Sequence, residues 1–442
     1  MMRSVTALLG LCLLGLAPPA AAGVLVELYR QALASEPQFA AARAQYDASL
    51  EVLPLARSEI LPKLRINGYA ARLRDDSERS QFIGFQDRLL YANTWQLGIQ
   101  LDQPLLDWSV FARLRQLDTR AARAELVLLD ARQDLMLGLV QRYLDWLAAV
   151  DELGYLSQQE AAIARQREQV ETRVETGYAT SADLALVTAR RDLAATEKLQ
   201  AAAALREARE AVRELVGNVP AIPVPLRGEI DTALPVPADP EVWVSRALAH
   251  NPALRRAELD VELAREAVRE EHGRYFPQLG LQLEHRLSDT EEIQLGREAE
   301  TSQILLQLNV PLFSGGATGA RVRAADDRHQ RAQHLREALQ RSTIRQARNA
   351  YDGIVTGIRW LQAAQQAVTS QQAALDAIEG GAESGLRTVA EVLDARQQLY
   401  RANRDAAAAR YAYLSSRLRL KEIVGSLVDA DLLHIDQQLL DH

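Results

Sequence analysis

The chain has a single cysteine, Cys12, which lies in an apolar leader, so the exported remainder carries no disulfide framework. Beyond the leader no stretch approaches the ~18 consecutive apolar residues of a membrane-spanning helix, so any membrane crossing falls to strands. Positive charge is not in excess: 51 Lys and Arg face 59 Asp and Glu, for a formal net charge of -8. No basic face accumulates, which excludes nucleic acid as the main partner. Aromatic residues make up only 5% of the chain. Ala, Gln, Arg, Glu and Leu dominate, as in long helices rather than compact enzymes.

Catalytic machinery is missing as well. The seven histidines are scattered, and His329 and His334, five apart, share no helical face on which to hold a metal. No nucleophile elbow or phosphate-cradling loop is present. Ser314-Gly315-Gly316 lacks the following Lys-Ser/Thr pair and is expected to turn the chain from strand to helix. No catalytic residue, metal ligand or cofactor is expected.

What is present begins with Arg3, the apolar run Val5 to Leu16 and the small residues Ala20-Ala21-Ala22. These are the three parts of a secretory signal peptide, with cleavage near Gly23. Leu11 stands before Cys12, where lipoprotein processing needs a small residue, so no lipid anchor is expected.

The rest of the chain follows one plan twice. Ala32 to Pro37 returns as Ala247 to Pro252, Pro62 as Pro277, Pro104 as Pro311, and Gly177 to Asp183 as Gly385 to Glu391. Four landmarks in one order, with offsets between about 207 and 215 residues, mark an internal duplication. The expected organisation is a signal peptide (1–22), a first repeat (23–216), a linker (217–240), a second repeat (241–425) and a C-terminal tail (426–442).

Between Ser109 and Gly177 there is no proline, so one helix of ~68 residues, ~100 Å long, is expected. Leu139, Tyr143, Trp146, Val150 and Leu153 step by 4, 3, 4, 3, the seam of a coiled coil, and the seam returns at Ala347, Tyr351, Ile354, Ile358 and Leu361. Shorter helical stretches flank each long one at Val24 to Ile60, Ser181 to Val216, Glu241 to Tyr275 and Val389 to Val424. Two of them stacked end to end match the long helix in length. Trp146 and Trp360 are expected as packing residues, and Trp95 and Trp108 as candidates for a membrane interface.

Each repeat also holds a strand pair. Leu97, Ile99 and Leu101 alternate with polar residues, as do Leu279, Leu281 and Leu283; Leu64 and Ile66, and Ile304 to Val310, complete the set. Two readings stand: transmembrane strands with lipid on one face and lumen on the other, or half-buried hairpins of a soluble sheet. Polar segments around Asp75 to Gln86 and Asp289 to Glu300 would be the loops. Four strands close no barrel, and open edges in lipid leave backbone groups unpaired. Three copies would supply twelve strands.

This duplicated plan, the Gly-x5-acid turns and the block Gly385 to Asp405 (GLRTVAEVLDARQQLYRANRD) resemble the TolC family of outer-membrane efflux proteins, over essentially the whole mature chain. The resemblance implies a mixed α and β fold. Its homotrimer would form one 12-stranded outer-membrane β-barrel, four strands per chain, continued by a long α-helical coiled-coil barrel in the periplasm. The implied function is a channel-tunnel of a tripartite efflux pump or type I secretion system. Its partners would be outer-membrane lipid, a periplasmic adaptor (membrane fusion) protein and an inner-membrane pump, with no nucleic acid. The resemblance further places Glu391 and Asp394 in an acidic ring at the periplasmic aperture, and Asp183 and Arg387 as gate links. Two gate positions depart from the family's pattern, at Ala182 and Ala382.

Local chemistry offers plainer roles for the same residues. Thr388-Val-Ala-Glu391 and Thr180-Ser-Ala-Asp183 fit helix capping boxes; Asp394 fits a solvated face and Arg387 a surface turn. Gly177 and Gly385 fit left-handed caps ending their helices. A periplasmic coiled-coil scaffold without channel activity is the alternative function.

Overall fold

A computed structural model describes residues 23–75, 90–226, 230, 232–291 and 297–440. The leader, with Arg3 and Cys12, nearly all of the first expected loop and the middle of the second lie outside the described residues.

The chain starts with three helices, α1 (Val24–Ser35), α2 (Pro37–Leu50) and α3 (Val52–Ser58). Strands β1 (Lys63–Asp75) and β2 (Leu90–Leu106) follow, then α4 (Trp108–Arg115), α5 (Leu117–Glu175) and α6 (Ser181–Val216). The second half repeats the order with α7 (Pro240–His250), α8 (Pro252–Gly273), β3 (Gln278–Glu291), β4 (Arg297–Asn309), α9 (Ala317–Glu383) and α10 (Val389–Ile423), and adds α11 (Asp429–Leu440). Contacts group these elements into two compact units, one of Met1–Ala40, Arg132–Ala247 and Gln346–His442, the other of Ala41–Ala131 and Leu248–Arg345.

Several expected elements have different bounds in the structure. The stretch expected as one helix from Ser109 breaks at Gln116, whose side chain is buried, donates to Glu270 and accepts from Arg120. The first flanking stretch breaks before Pro37, because the proline ring disfavours helical backbone in the residue ahead of it. The stretch beginning near Glu241 breaks at Asn251, which caps α8 through its carbonyl oxygen, accepting from Leu254 N at 2.9 Å. The strand ladders run further than the alternation indicated: β3 and β4 pair out to Thr290 and Arg297, inside the expected loop. Pro104 lies inside β2, beside a register shift in its pairing with β3.

The second unit carries a four-stranded antiparallel sheet in the order β1-β2-β3-β4. Directly paired residues share a face. The rows Leu64–Leu101–Leu283–Ile304 and Ile66–Ile99–His285–Ser302, with Leu281–Leu306 and Leu279–Leu308 below them, make one face largely apolar. Many of these side chains are open to the surroundings in the single chain, Ile66 at 69% and Ile304 at 79%. The opposite face carries Arg65, Gln100, Glu284 and Gln303 in one row and Asn67, Gly98, Arg286 and Thr301 in the next. Its charges are paired there, Arg65 with Asp102 and Arg286 with Glu284.

The apolar run slants across the register. On β1 it extends from Leu64 towards Ala70, away from the neighbouring helix. On β4 it extends from Ile304 towards Leu308, nearer to the following helix, although Leu64 and Ile304 share a row.

In the first unit most of the coiled-coil seam is buried, with Leu139, Tyr143, Trp146, Ala347, Ile354 and Leu361 each at most 2% exposed, while Val150 and Leu153 are half-buried. Burial pushes the Tyr143 hydroxyl up to about 12; it donates to Val224 O at 3.1 Å and accepts from Val224 N at 3.0 Å, holding down the connection between the halves. Trp360 departs from its expected packing role and is 46% exposed, since it falls outside the 4, 3 seam. α11 occupies most of what was expected as a tail, burying Leu432 and Ile435.

Among the described residues, no helix is long and apolar enough to cross a membrane.

Candidate functional site

Two hairpin tips, both in the first unit, hold the residues singled out from the sequence. α5 ends at Glu175 and α6 begins at Ser181; α9 ends at Glu383 and α10 begins at Val389. Each long helix closes through a glycine with positive φ, Gly177 at 83° and Gly385 at 77°. The next residue's N–H reaches back five positions, Tyr178 to Arg173 O at 2.7 Å and Leu386 to Gly381 O at 2.8 Å. This is the Schellman closure, which satisfies carbonyls the helix leaves open and needs a left-handed residue at that point. A Cβ at either glycine would meet nothing within 4 Å, so the requirement is conformational, not steric.

Each following helix starts with a complete capping box. Thr180 Oγ1 accepts from Asp183 N at 3.2 Å and the Asp183 carboxylate accepts from Thr180 N at 3.0 Å. Thr388 and Glu391 repeat the exchange at 3.3 and 2.7 Å. The Thr180 hydroxyl, then its N–H, lower the Asp183 pKa. The Thr388 N–H, then Arg387 and the Thr388 hydroxyl, lower that of Glu391.

The tips differ in their ion pairs. Arg387 Nη1 donates to Glu391 Oε1 at 2.8 Å. Arg387 and Asp183 are not brought together within one chain: Arg387 turns to Glu391, and Asp183 turns to its own cap. Asp394, one turn beyond Glu391, pairs with Arg190 of α6 at 2.9 Å, and Arg190 also donates to Gln397 at 3.1 Å. Beneath this bridge Val187, Val170 and Ile163 of the first hairpin pack with Leu393 of the second. Reading the sequence missed Arg190. Its signal was the seven-residue step from Asp183, two turns along the same face of α6. Ala182 and Ala382 offer no side-chain hydrogen bond at the tips.

Tyr178 and Leu386, directly after the turn glycines, are 86% and 82% exposed. Elsewhere the clefts are open grooves: one of about 320 Å³ is lined by Tyr155, Gln159, Glu197, Tyr400, Arg401 and Arg404. Among the described residues no cluster of metal-ligating side chains occurs.

A sheet with one apolar and one polar face, carried by helices of 59 and 67 residues that end in capped hairpins, defines a class: β-stranded outer-membrane channel proteins with long helical extensions. The chain belongs to the outer membrane efflux protein family, whose profile matches residues 28–218 and 243–426. As a member it is an outer-membrane channel component for efflux or type I secretion, in a family of transport channels rather than enzymes.

Relatives span nearly the whole chain. Outer membrane protein TolC of Vibrio cholerae is 29% identical over 420 residues, 94% of this chain and 93% of its own length. The alkaline protease secretion protein AprF of Pseudomonas aeruginosa is 30% identical over 443 residues, 98% of this chain and 90% of its own. The fold matches the crystal structure of the Campylobacter jejuni CmeC outer membrane channel with a TM-score of 0.79 at 17% identity, over 94% of this chain and 90% of that one.

Proposed function

We propose that three copies of this chain close a 12-stranded barrel in the outer membrane and conduct substrates passively from a pump assembly to the exterior, catalysing no reaction. The slanted apolar band supports this reading most directly. Its centre moves by roughly five residues, ~16 Å at 3.3 Å per residue, across three strand steps totalling ~14 Å, so the strands lean ~45–50° to the band. Membrane strands tilt by about 45°, and a soluble sheet has no reason to slant its apolar band to that degree. β1 and β4 are open edges running in opposite directions, so the β4 edge of one copy can accept the β1 edge of the next.

A periplasmic adaptor and an inner-membrane pump are the proposed partners, with the pump supplying energy. The exposed Tyr178 and Leu386 at the tips support contact with such a partner. The relative named for protease secretion favours export of polypeptides as one service of this channel.

At the periplasmic end, Glu391 and Asp394 of three copies form the proposed acidic ring, with Asp183 and Arg387 as links between hairpins. Opening loosens the hairpins around Gly177 and Gly385. Carboxylates gathered in a narrow aperture attract cations. Arg387 and Arg190 offset part of that charge, so cation selectivity is moderate and rises when Arg190 is removed.

Heat-modifiable trimers in the outer-membrane fraction, with single-channel conductance in planar bilayers, test the proposal. A detergent-independent monomer without β-barrel signature rules it out. Replacing both Glu391 and Asp394 with Ala lowers cation selectivity; unchanged selectivity removes the ring while leaving the barrel.

A further inference from the structure

Asp436 of α11 is a buried carboxylate, 2% exposed, seated on the first turn of α1. It accepts from Leu25 N at 2.8 Å and from Val26 N at 3.0 Å, satisfying amide groups that the helix start leaves open. Among the described residues, none of the ion pairs reaches it. The aligned peptides of α1 supply only partial positive charge, and a buried carboxylate with no full counter-charge is costly.

Gly23, just ahead of α1, is itself buried. A Cβ there would lie 2.0 Å from Asp436 Oδ2, so the carboxylate occupies the place of a side chain and only glycine fits. The backbone nitrogen of a residue is about 2.5 Å from its Cβ position, which puts the Gly23 nitrogen within ~4.5 Å of that oxygen. In the intact precursor this nitrogen is an uncharged amide. Ala20 and Ala22 stand at the third and first positions before it, the small-residue pattern that signal peptidases cut after.

We propose that export cleaves the Ala22–Gly23 bond and that the ammonium so created on Gly23 pairs with Asp436, locking α11 onto α1. Hydrolysis by a signal peptidase adds one water, leaving a carboxylate on Ala22 and a charged amine on Gly23. Processing thereby supplies the cation that Asp436 lacks. Burial pushes the Asp436 carboxyl up against the pull of the two amides, and an ammonium alongside offsets that cost. The lock is confined to the first unit and does not depend on how the barrel closes.

The test uses the exported, full-length protein. N-terminal sequencing should begin at Gly23; a different first residue overturns the proposal. Inserting one Ser between Ala22 and Gly23 moves the ammonium away by one residue, ~3.5 Å. Hydrogen exchange at the Leu25 and Val26 amides and along α11 should then speed up tenfold or more. In an Asp436→Asn background the insertion should add no further change. Exchange unaltered by the insertion in the otherwise native chain overturns the proposal, as does an equal acceleration with Asn at 436. Should Asp436→Asn not accumulate, the sequencing and the single insertion decide the matter.

Discussion

Among the described residues, the carboxylate of Asp183 at the first tip answers to Thr180 alone, whereas at the second Glu391 answers to Thr388 and also to Arg387. Both tips share the glycine, its left-handed φ and the capping box. The backbone geometry of the turn is therefore kept in both halves while the charges on it have diverged. The bridge that joins the tips is one-sided too, with the cation on the first hairpin and the acid on the second. Duplicated halves with different charge let two hairpins in one chain hold each other, which two identical hairpins with like charges would resist.

The largest expected effect tests whether the strand pairs of the two halves are equivalent. Ile66→Arg in the first half and Ile304→Arg in the second should both abolish outer-membrane trimers, each costing about 2–4 kcal/mol at the bilayer midplane. Gln303→Arg, on the polar face, should assemble normally. Trimers from Ile304→Arg but not from Gln303→Arg would reverse the assignment of the faces.

Next in size, Gly177→Ala and Gly385→Ala should each destabilise their tip by about 1–2 kcal/mol, since each forces an L side chain into left-handed backbone. Limited proteolysis across the two turns reads this out. Equal effects support a shared backbone device; a loss at one tip only breaks the comparison.

How much of this was open to reading from residues alone can be judged at the same tips. Turn glycines and Thr-x-x-acid boxes are contacts within four or five residues, and local chemistry decides them. The Arg190–Asp394 bridge joins residues 204 positions apart, and no local rule specifies that pairing. Gln116 illustrates the same limit in the fold: its helix break follows from a buried amide meeting Glu270, which lies in the other half.

A third prediction concerns pH. Asp183 and Glu391 both have depressed folded-state pKa values. Their stabilisation is therefore full above the ordinary carboxylate values, 3.8 and 4.5, and is lost as pH falls through the lower folded values. Both tips should loosen only in strong acid, measured by hydrogen exchange between pH 5 and 2. Thr180→Ala and Thr388→Ala, each worth about 1 kcal/mol, should move that loosening upward. Loosening already near neutral pH would sink this account of the caps.

The smallest expected effect is that of the bridge. As an exposed pair, Arg190 and Asp394 should show a coupling of about 0.2–1 kcal/mol in a double-mutant cycle, while Arg190→Gln alone raises cation selectivity in planar bilayers. Selectivity that falls instead would mean that Asp394 does not face the conduction path.

The residues by themselves determined the duplication, the alternating strands, the seam of the long helices and the tip caps, because each is a short-range pattern repeated at a fixed spacing. Only the tertiary structure decided the slant of the apolar band, the partner of Asp394 and the seat of Asp436 on α1. Those depend on register, which backbone hydrogen bonds between strands set, and on which distant helices meet, which side-chain packing sets after the local elements have formed.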